Sequence, residues 1–295
     1  MSAGVQLDAT QLALAQRRAA AQKRVRWELL AVLVRKDLKV KYQGSALGFA
    51  WSLANPLLLM AIYYFVFAVV LKNGIPGFAI FIVAGLLPWT AFAGAVTTAT
   101  ASIVGNSGLV KKVRFPLQVL PLSSVGYAMV HFMLQLLVVL IITAVSRHVF
   151  SPAFLLIIPA TALMVLFATG LSYLVAALNV RYRDTAHIVE IALLVWFWLN
   201  PIVYPSILVR DKLHEWFWLY FLNPMATVVA TFQRAIFVKD DYTNTASKQH
   251  GHALAADGYE FYLRNLAIGF VVSLALMLFA RRLFRRMQAD FAEAL

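Results

Sequence analysis

Three cations stand close together in a short polar segment of this sequence and could bind a negatively charged partner. Lys111, Lys112 and Arg114 lie within NSGLVKKVRFP, residues 106–116, between two long apolar runs. Each run exceeds the roughly 20 residues that cross a bilayer, so the positive-inside rule places the segment in the cytosol. Two interpretations stay open: the cations only orient the membrane spans, or the segment forms a surface helix that contacts a cytosolic protein.

The other chemistry-bearing residue types are sparse. The sequence has no cysteine, which excludes disulfides, Cys-ligated metals and thiol nucleophiles. No metal-ligand set and no catalytic residue is predicted, and no G-x-x-x-x-G-K-[ST] phosphate loop is present. Asp240 and Asp241 form an acidic pair in a polar loop, where we expect them to be solvated. His131 and Gln135, one turn apart in an apolar run, should face protein or a pore.

The composition predicts a membrane protein. Hydrophobic residues make up 62% of 295 positions, and the mean hydropathy is +0.76. The net charge of +13 resides in loops beside apolar runs, so we interpret it as membrane orientation and contact with anionic lipid, with no nucleic-acid partner.

The apolar runs predict an all-α membrane protein with six transmembrane helices. The spans lie near residues 51–71, 78–104, 117–145, 152–178, 188–205 and 262–280. Residues 216–233 carry no charge, but Asn223-Pro224 divides them into halves too short to cross. We therefore predict two short re-entrant helices on the outer face, about residues 212–237. This arrangement puts both termini and most of the 26 lysines and arginines in the cytosol.

The predicted parts follow one another as a single membrane domain with flanking segments. A basic cytosolic tail covers residues 1–24, and an amphipathic interfacial helix covers residues 25–48. The transmembrane domain covers residues 49–284, and a cytosolic tail covers residues 285–295.

Four short motifs, in order along the chain, resemble those of permease subunits of ABC-2-type exporters for polysaccharides such as O-antigen, teichoic acid or cell-wall galactan. They are KYQGSALGFAWSLANPLL at residues 41–58, the run from Gly85 through Pro88 and Trp89 to Pro116, RYRD at residues 181–184 with His187, and NPIVYP at residues 200–205. The C-terminal third is similar to the family mainly in its paired short helices.

The resemblance implies an assembly larger than this chain. The first cytosolic loop would be a coupling helix that docks on a separate ATPase subunit, through Gly108, Leu109, Lys111, Lys112, Arg114 and Phe115. A second copy of the chain and two ATPase subunits would complete the exporter in the bacterial inner membrane. ATP and magnesium would bind the ATPase partner, so this chain would be no enzyme and would hold no cofactor.

The implied substrate is a polysaccharide on polyprenyl pyrophosphate. Four cations beside the first span could bind its phosphates: Arg26, Arg35, Lys39 and Lys41. Alternatively, they extend to ordinary lipid phosphates. Arg181 lies in the charged cytosolic segment at residues 179–187. Arg183 and Asp184 of this segment could pair and position a gate, or Asp184 could stabilise a helix N-terminus.

Aromatic rings suit the apolar faces of sugars. The candidates for a glycan-lining surface are Trp51, Tyr63, Trp89, Trp196, Trp198 and Tyr204. Aromatic residues also gather at membrane interfaces without any ligand, which is the alternative for each of them.

Two other functions remain possible at this point. An ABC-2 exporter of drugs or small lipids would share the topology, although the motif at residues 41–58 and the Trp- and Tyr-rich spans argue against it. A membrane-embedded glycan transferase would show a carboxylate cluster at a membrane face and would act without an ATPase partner.

Overall fold

The computed structural model describes residues 9–44, 50–70, 72, 77–113, 115–145, 152–237, 241–243, 250–252, 254 and 258–295. The helices of the first half are α1 (Ala9–Tyr42), α2 (Ala50–Tyr64, continued by a π-helix over Phe65–Val70), α3 (Phe78–Ala101), α4 (Ser107–Lys112) and α5 (Val119–Val145). Those of the second half are α6 (Ile157–Arg181), α7 (Thr185–Trp198), α8 (Ser206–Leu213), α9 (Phe217–Tyr220), α10 (Pro224–Ile236), α11 (Tyr259–Met287) and α12 (Phe291–Ala294).

The predicted helical membrane fold is confirmed, with four helices long and apolar enough to cross a bilayer. These segments are Phe78–Ala101, Val119–Ala144, Pro152–Arg181 and Tyr259–Met287. Two shorter apolar helices, Leu57–Val70 and Thr185–Trp198, occupy the positions of the predicted first and fifth spans.

A small β-hairpin, which the all-α prediction did not include, is also present. Strand β1 (Asp241–Thr243) pairs antiparallel with β2 (His250–His252), with Asp241 opposite His252. Strands of three residues are too short to show the alternation by which a strand is recognised in a sequence.

Turn residues set the limits of several helices. Gly44 and Gly77 have φ values of +77° and +73°, which glycine adopts without strain, and they lie just after α1 and just before α3. Asn223 accepts a hydrogen bond from the Met225 N–H, 3.1 Å away, and Pro224 occupies the first turn of α10. Asn223-Pro224 therefore separates two helices as predicted, although the region contains the three helices α8, α9 and α10.

The core forms where α3, α5, α6, α10 and α11 pack together. Its buried residues include Phe92, Phe132 and Phe232, each fully enclosed. Helices α6 and α11 approach closely because Gly170 faces the backbone of Met277: a Cβ at Gly170 would lie 3.1 Å from the Met277 nitrogen. Small residues at such crossings let membrane helices pack by direct backbone contact.

A second group of buried residues, here the basal cluster, joins α1, α6, α11 and α12 to the α3–α5 connection. It contains Leu33, Val110, Leu120, Tyr173, Phe284 and Phe291. The predicted tail at residues 1–24 and the predicted interfacial helix share the single helix α1, within residues 9–42. The predicted C-terminal tail begins inside α11, and Phe291 of α12 is buried.

Candidate functional site

The predicted coupling segment folds as the short helix α4. A 3₁₀ turn over Val104–Asn106 leads into it, and Val113 beyond it is extended. Val110 is buried in the basal cluster, and Phe115 packs against the same cluster. Gly108, Leu109, Lys111 and Lys112 are exposed, whereas Arg114 lies outside the described residues. One face of α4 is thus anchored, and the other presents two adjacent cations.

A side-chain bridge ties α4 to α1. Lys36 Nζ donates to Asn106 Oδ1 at 3.0 Å, and Asn106 Nδ2 donates to the Ser102 carbonyl at 2.7 Å. Asn106 is the N-cap position of α4. Leu33, one turn before Lys36 on α1, lies in the basal cluster with Val110. A movement of α4 would therefore act directly on α1.

The charged loop between α6 and α7 places its acidic residue at the start of α7, the position at which a carboxylate meets the positive end of the helix dipole. Asp184 occupies the N-cap position of α7 by its backbone, but its side chain makes no cap hydrogen bond. Among the described residues, no ion pair joins it to Arg183. Arg183 and Asp184 are exposed, and the Arg181 guanidinium lies 5.8 Å from the Tyr182 ring centre. Their roles at a gate stay a prediction.

The four predicted headgroup cations divide between different surfaces. Arg26 lines a cavity against α11, while Lys41 lines another against α3 and α5. Arg35 and Lys39 are exposed on α1. Because Arg26 and Lys41 line different cavities and Arg35 and Lys39 line neither of them, a single phosphate cannot contact all four.

A polar cavity lies between α1, α3 and α5. Its larger part measures about 490 Å³ and is bordered by Lys36, Lys41 and Ser124. Lys41, Thr98 and Tyr127 border both this part and an adjoining part of about 190 Å³, which Trp51, Thr90, His131 and Gln135 also line. The Lys41 Nζ lies 5.3 Å from the centre of the Tyr127 ring.

This cavity accounts for the polar residues of α5. His131 and Gln135 are nearly buried and face it, which confirms that they point away from lipid. Tyr127 stacks edge-on against His131, with ring centres 4.7 Å apart. Sequence reasoning missed Tyr127, Thr90 and Thr98. The repeat of polar types at positions 127, 131 and 135 places them on one helical face and was the available signal.

The predicted aromatic residues fall into two groups. Trp89, Trp196 and Tyr63 pack against other rings of the chain: Trp89 meets Trp196 edge-on at 6.4 Å, and Tyr63 stacks on Phe197 at 5.6 Å. Trp51 and Trp198 are at least half exposed, at 57% and 50%. The Tyr204 hydroxyl donates to the Trp198 carbonyl at 2.9 Å and holds the end of α7. Trp51 and Trp198 are therefore the two most exposed of the six.

Comparison with known proteins gives a consistent family. The family model described as "ABC-2 type transporter" matches residues 28–237. The O-antigen export system permease protein RfbA of Myxococcus xanthus is 34% identical over 268 residues, 90% of this chain and 95% of that protein. A protein of the same name from Klebsiella pneumoniae is 35% identical over 208 residues, 70% of this chain and 79% of that protein.

A more distant relative extends the same pattern. The polysialic acid transport protein KpsM of Escherichia coli is 19% identical over 206 residues, 68% of this chain and 78% of that protein. The match at residues 28–237 contains α2–α10, including the anchored and exposed faces of α4. This chain belongs to the ABC-2 type transporter family.

Proposed function

We propose that this chain is the transmembrane permease subunit of an ATP-driven exporter that moves polysaccharide on a polyprenyl pyrophosphate carrier out of the cytosol. The observation that carries the proposal is the identity of 34–35% with O-antigen export permeases over most of the chain. The exposed cations of α4 and the lack of a phosphate loop in the sequence support an ATPase on a separate subunit.

The topology proposed has six spans, with both termini in the cytosol. The helices Leu57–Val70 and Thr185–Trp198 would be the first and fifth spans, since each is apolar and precedes or follows a cationic segment. Helices α8–α10 would lie on the outer face. The packing of α10 on α3, α6 and α11 supports this, because a short helix at membrane depth must be covered by protein.

The exporter proposed contains two copies of this chain and two ATPase subunits that bind ATP and magnesium. The exposed apolar faces of α2 and α7 support a pore between the copies. Ile62 is 48% exposed, while Ile191 and Leu194 are 64% and 66% exposed. Such faces suit contact with a second copy or with lipid.

Lys41 is the cation best placed to contact the carrier pyrophosphate in this proposal. It lines both parts of the polar cavity and precedes the first span in the sequence. Trp51 lies in the same cavity and, with Trp198, offers an exposed ring to a passing glycan. Ring faces bind sugars weakly enough to let a polymer move.

The test is depletion of this chain in its native cell, followed by sugar analysis of the polyprenyl-linked glycans. Finished polymer should accumulate on the carrier inside the cell and disappear from the envelope. Normal envelope glycan without accumulation would point to an exporter of drugs or small lipids. Glycan-transferring activity of the purified chain without nucleotide would point to a transferase.

A further inference from the structure

Two arginines from distant parts of the chain meet at a cavity that the export proposal does not use. The cavity measures about 280 Å³ and lies between α1, the start of α5, α6 and α11. Arg26 and Arg281 line it, together with Trp27, Gln118 and Tyr173. We call it the arginine cavity.

The charge of the arginine cavity is not balanced by neighbouring side chains. No carboxylate is among its described lining residues, and the ion pairs of the described residues leave Arg26, Arg281 and Arg285 out. Arg26 and Arg281 line the same cavity, so two positive charges share it. Like charges that share one cavity repel each other, so a bound anion would stabilise the arrangement.

The surroundings of the cavity suit an amphiphile. Leu30, Leu122 and Met277 form its apolar wall, and Trp27 is 61% exposed at its rim. Arg281 directly follows the apolar run of α11, the level at which lipid phosphates lie. Gln118 adds an uncharged polar side chain. Basic pockets between transmembrane helices on the cytoplasmic side are a known mode of binding for anionic headgroups.

We propose that the arginine cavity binds the phosphate of an anionic phospholipid of the cytosolic leaflet, which is not transported and holds α1 against α11. The phosphate oxygens accept hydrogen bonds from the two guanidinium groups, and the acyl chains follow the apolar wall. The site is separate from the polar cavity at Lys41, which begins further along α1, at Leu33. It therefore stands or falls independently of the export proposal.

The experiment uses the full-length purified chain in nanodiscs. One set contains phosphatidylcholine alone, and the others contain increasing phosphatidylglycerol; retained lipid is counted by native mass spectrometry. The test variant is Arg26→Gln with Arg281→Gln. The matched control is Arg282→Gln with Arg286→Gln, which removes the same charge from exposed arginines of α11 that do not line the cavity.

We expect the parent and the control variant to retain phosphatidylglycerol, and the test variant to bind it about tenfold more weakly because two charge-assisted contacts are lost. Equal loss in both variants would mean general surface attraction and would overturn the proposal. Equal retention in both would do the same. Arg26→Lys with Arg281→Lys, which keeps both charges, should recover part of the binding and shows whether the site folds.

A separate arm identifies the source of the phosphate. Polyprenyl pyrophosphate is added to nanodiscs that contain phosphatidylglycerol. Retention of phosphatidylglycerol at the arginine cavity is the expected result. Displacement by polyprenyl pyrophosphate in the parent but not in the test variant would reassign the cavity to the carrier and overturn the proposal.

Discussion

Asn223 uses its amide group in two directions at the start of α10. Its Oδ1 accepts from the Met225 N–H, while its Nδ2 donates to Asn200 Oδ1 at 3.0 Å. Asn200 is fully buried and in turn donates to the Trp196 carbonyl at 2.6 Å. One residue thus caps α10 and joins it to the end of α7.

Replacement of this residue tests the join. Asn223→Ala removes the cap and leaves the Asn200 oxygen without its donor, so we expect a loss of about 1–3 kcal/mol in unfolding free energy. The measurement is the midpoint of thermal unfolding in detergent. Asn223→Ser can still cap the helix, so its unfolding midpoint should lie between those of the parent and Asn223→Ala. A midpoint for Asn223→Ala equal to that of the parent would contradict the prediction.

An added methyl group should change the unfolding midpoint in opposite directions at two glycines, Gly170 and Gly94. Gly170→Ala places its Cβ 3.1 Å from the backbone of Met277, which cannot move aside like a side chain, so we expect a lower unfolding midpoint. Gly94→Ala meets nothing within 4 Å and should raise the midpoint slightly, since alanine favours helix by about 0.5–1 kcal/mol. An unchanged or higher midpoint for Gly170→Ala would show that the α6–α11 approach is not a constraint.

At the level of elements, α4 is the exposed helix that connects two apolar helices. Lys111→Glu with Lys112→Glu leaves Val110 in place, so the fold should persist. If α4 docks on the ATPase partner, export should fall by more than about tenfold because two attractive charges become repulsive. Copurification of the partner and transport-coupled ATPase activity are the measurements.

A charge-matched control lies on the predicted outer face. Arg210→Glu with Lys212→Glu reverses two exposed cations of α8 and should leave both measurements unchanged. Loss of coupling in this control as well would assign the effect to net charge rather than to α4.

The sequence predicted the position of α4, but it did not predict the contacts that join α4 to α1. Two apolar runs and a proline were enough to limit the loop, because membrane spans are set by length and hydropathy. The Lys36–Asn106 bridge joins residues far apart in the chain, and no local pattern marks such a pair. Likewise, polar types on α5 indicated an interior face, but the path from Lys41 to His131 depends on how α1 crosses α5.

The whole molecule presents apolar faces on α2 and α7 that the described part of the chain leaves uncovered, and α5 and α11 also carry exposed apolar residues. Because the chain contains no cysteine, single cysteines can report what covers them. Leu194→Cys on α7 should form crosslinked dimers in membranes with a short thiol-reactive reagent. Val271→Cys on α11, at a similar exposure of 70%, should not. Equal crosslinking at both positions would indicate random collision.

Composition predicted the class of molecule, whereas the arrangement of the aromatic residues needed the structure. Trp89 and Trp51 are the same residue type in similar apolar runs, yet one is 5% exposed and the other 57%. Which ring is enclosed depends on whether α7 packs over it, as Trp196 and Phe197 do over Trp89. The sequence around each tryptophan does not show whether α7 packs over it.

The basal cluster also sets an order of events during synthesis. Val110, which anchors α4, shares that cluster with Phe284 and Phe291, residues that the ribosome makes long after the first three apolar helices have emerged. A nascent chain can insert its early spans, yet the buried contacts that hold Val110 of α4 are incomplete until α11 and α12 have been synthesised. An ATPase partner that binds α4 only when Val110 is packed in the complete basal cluster would thus not bind incompletely translated chains.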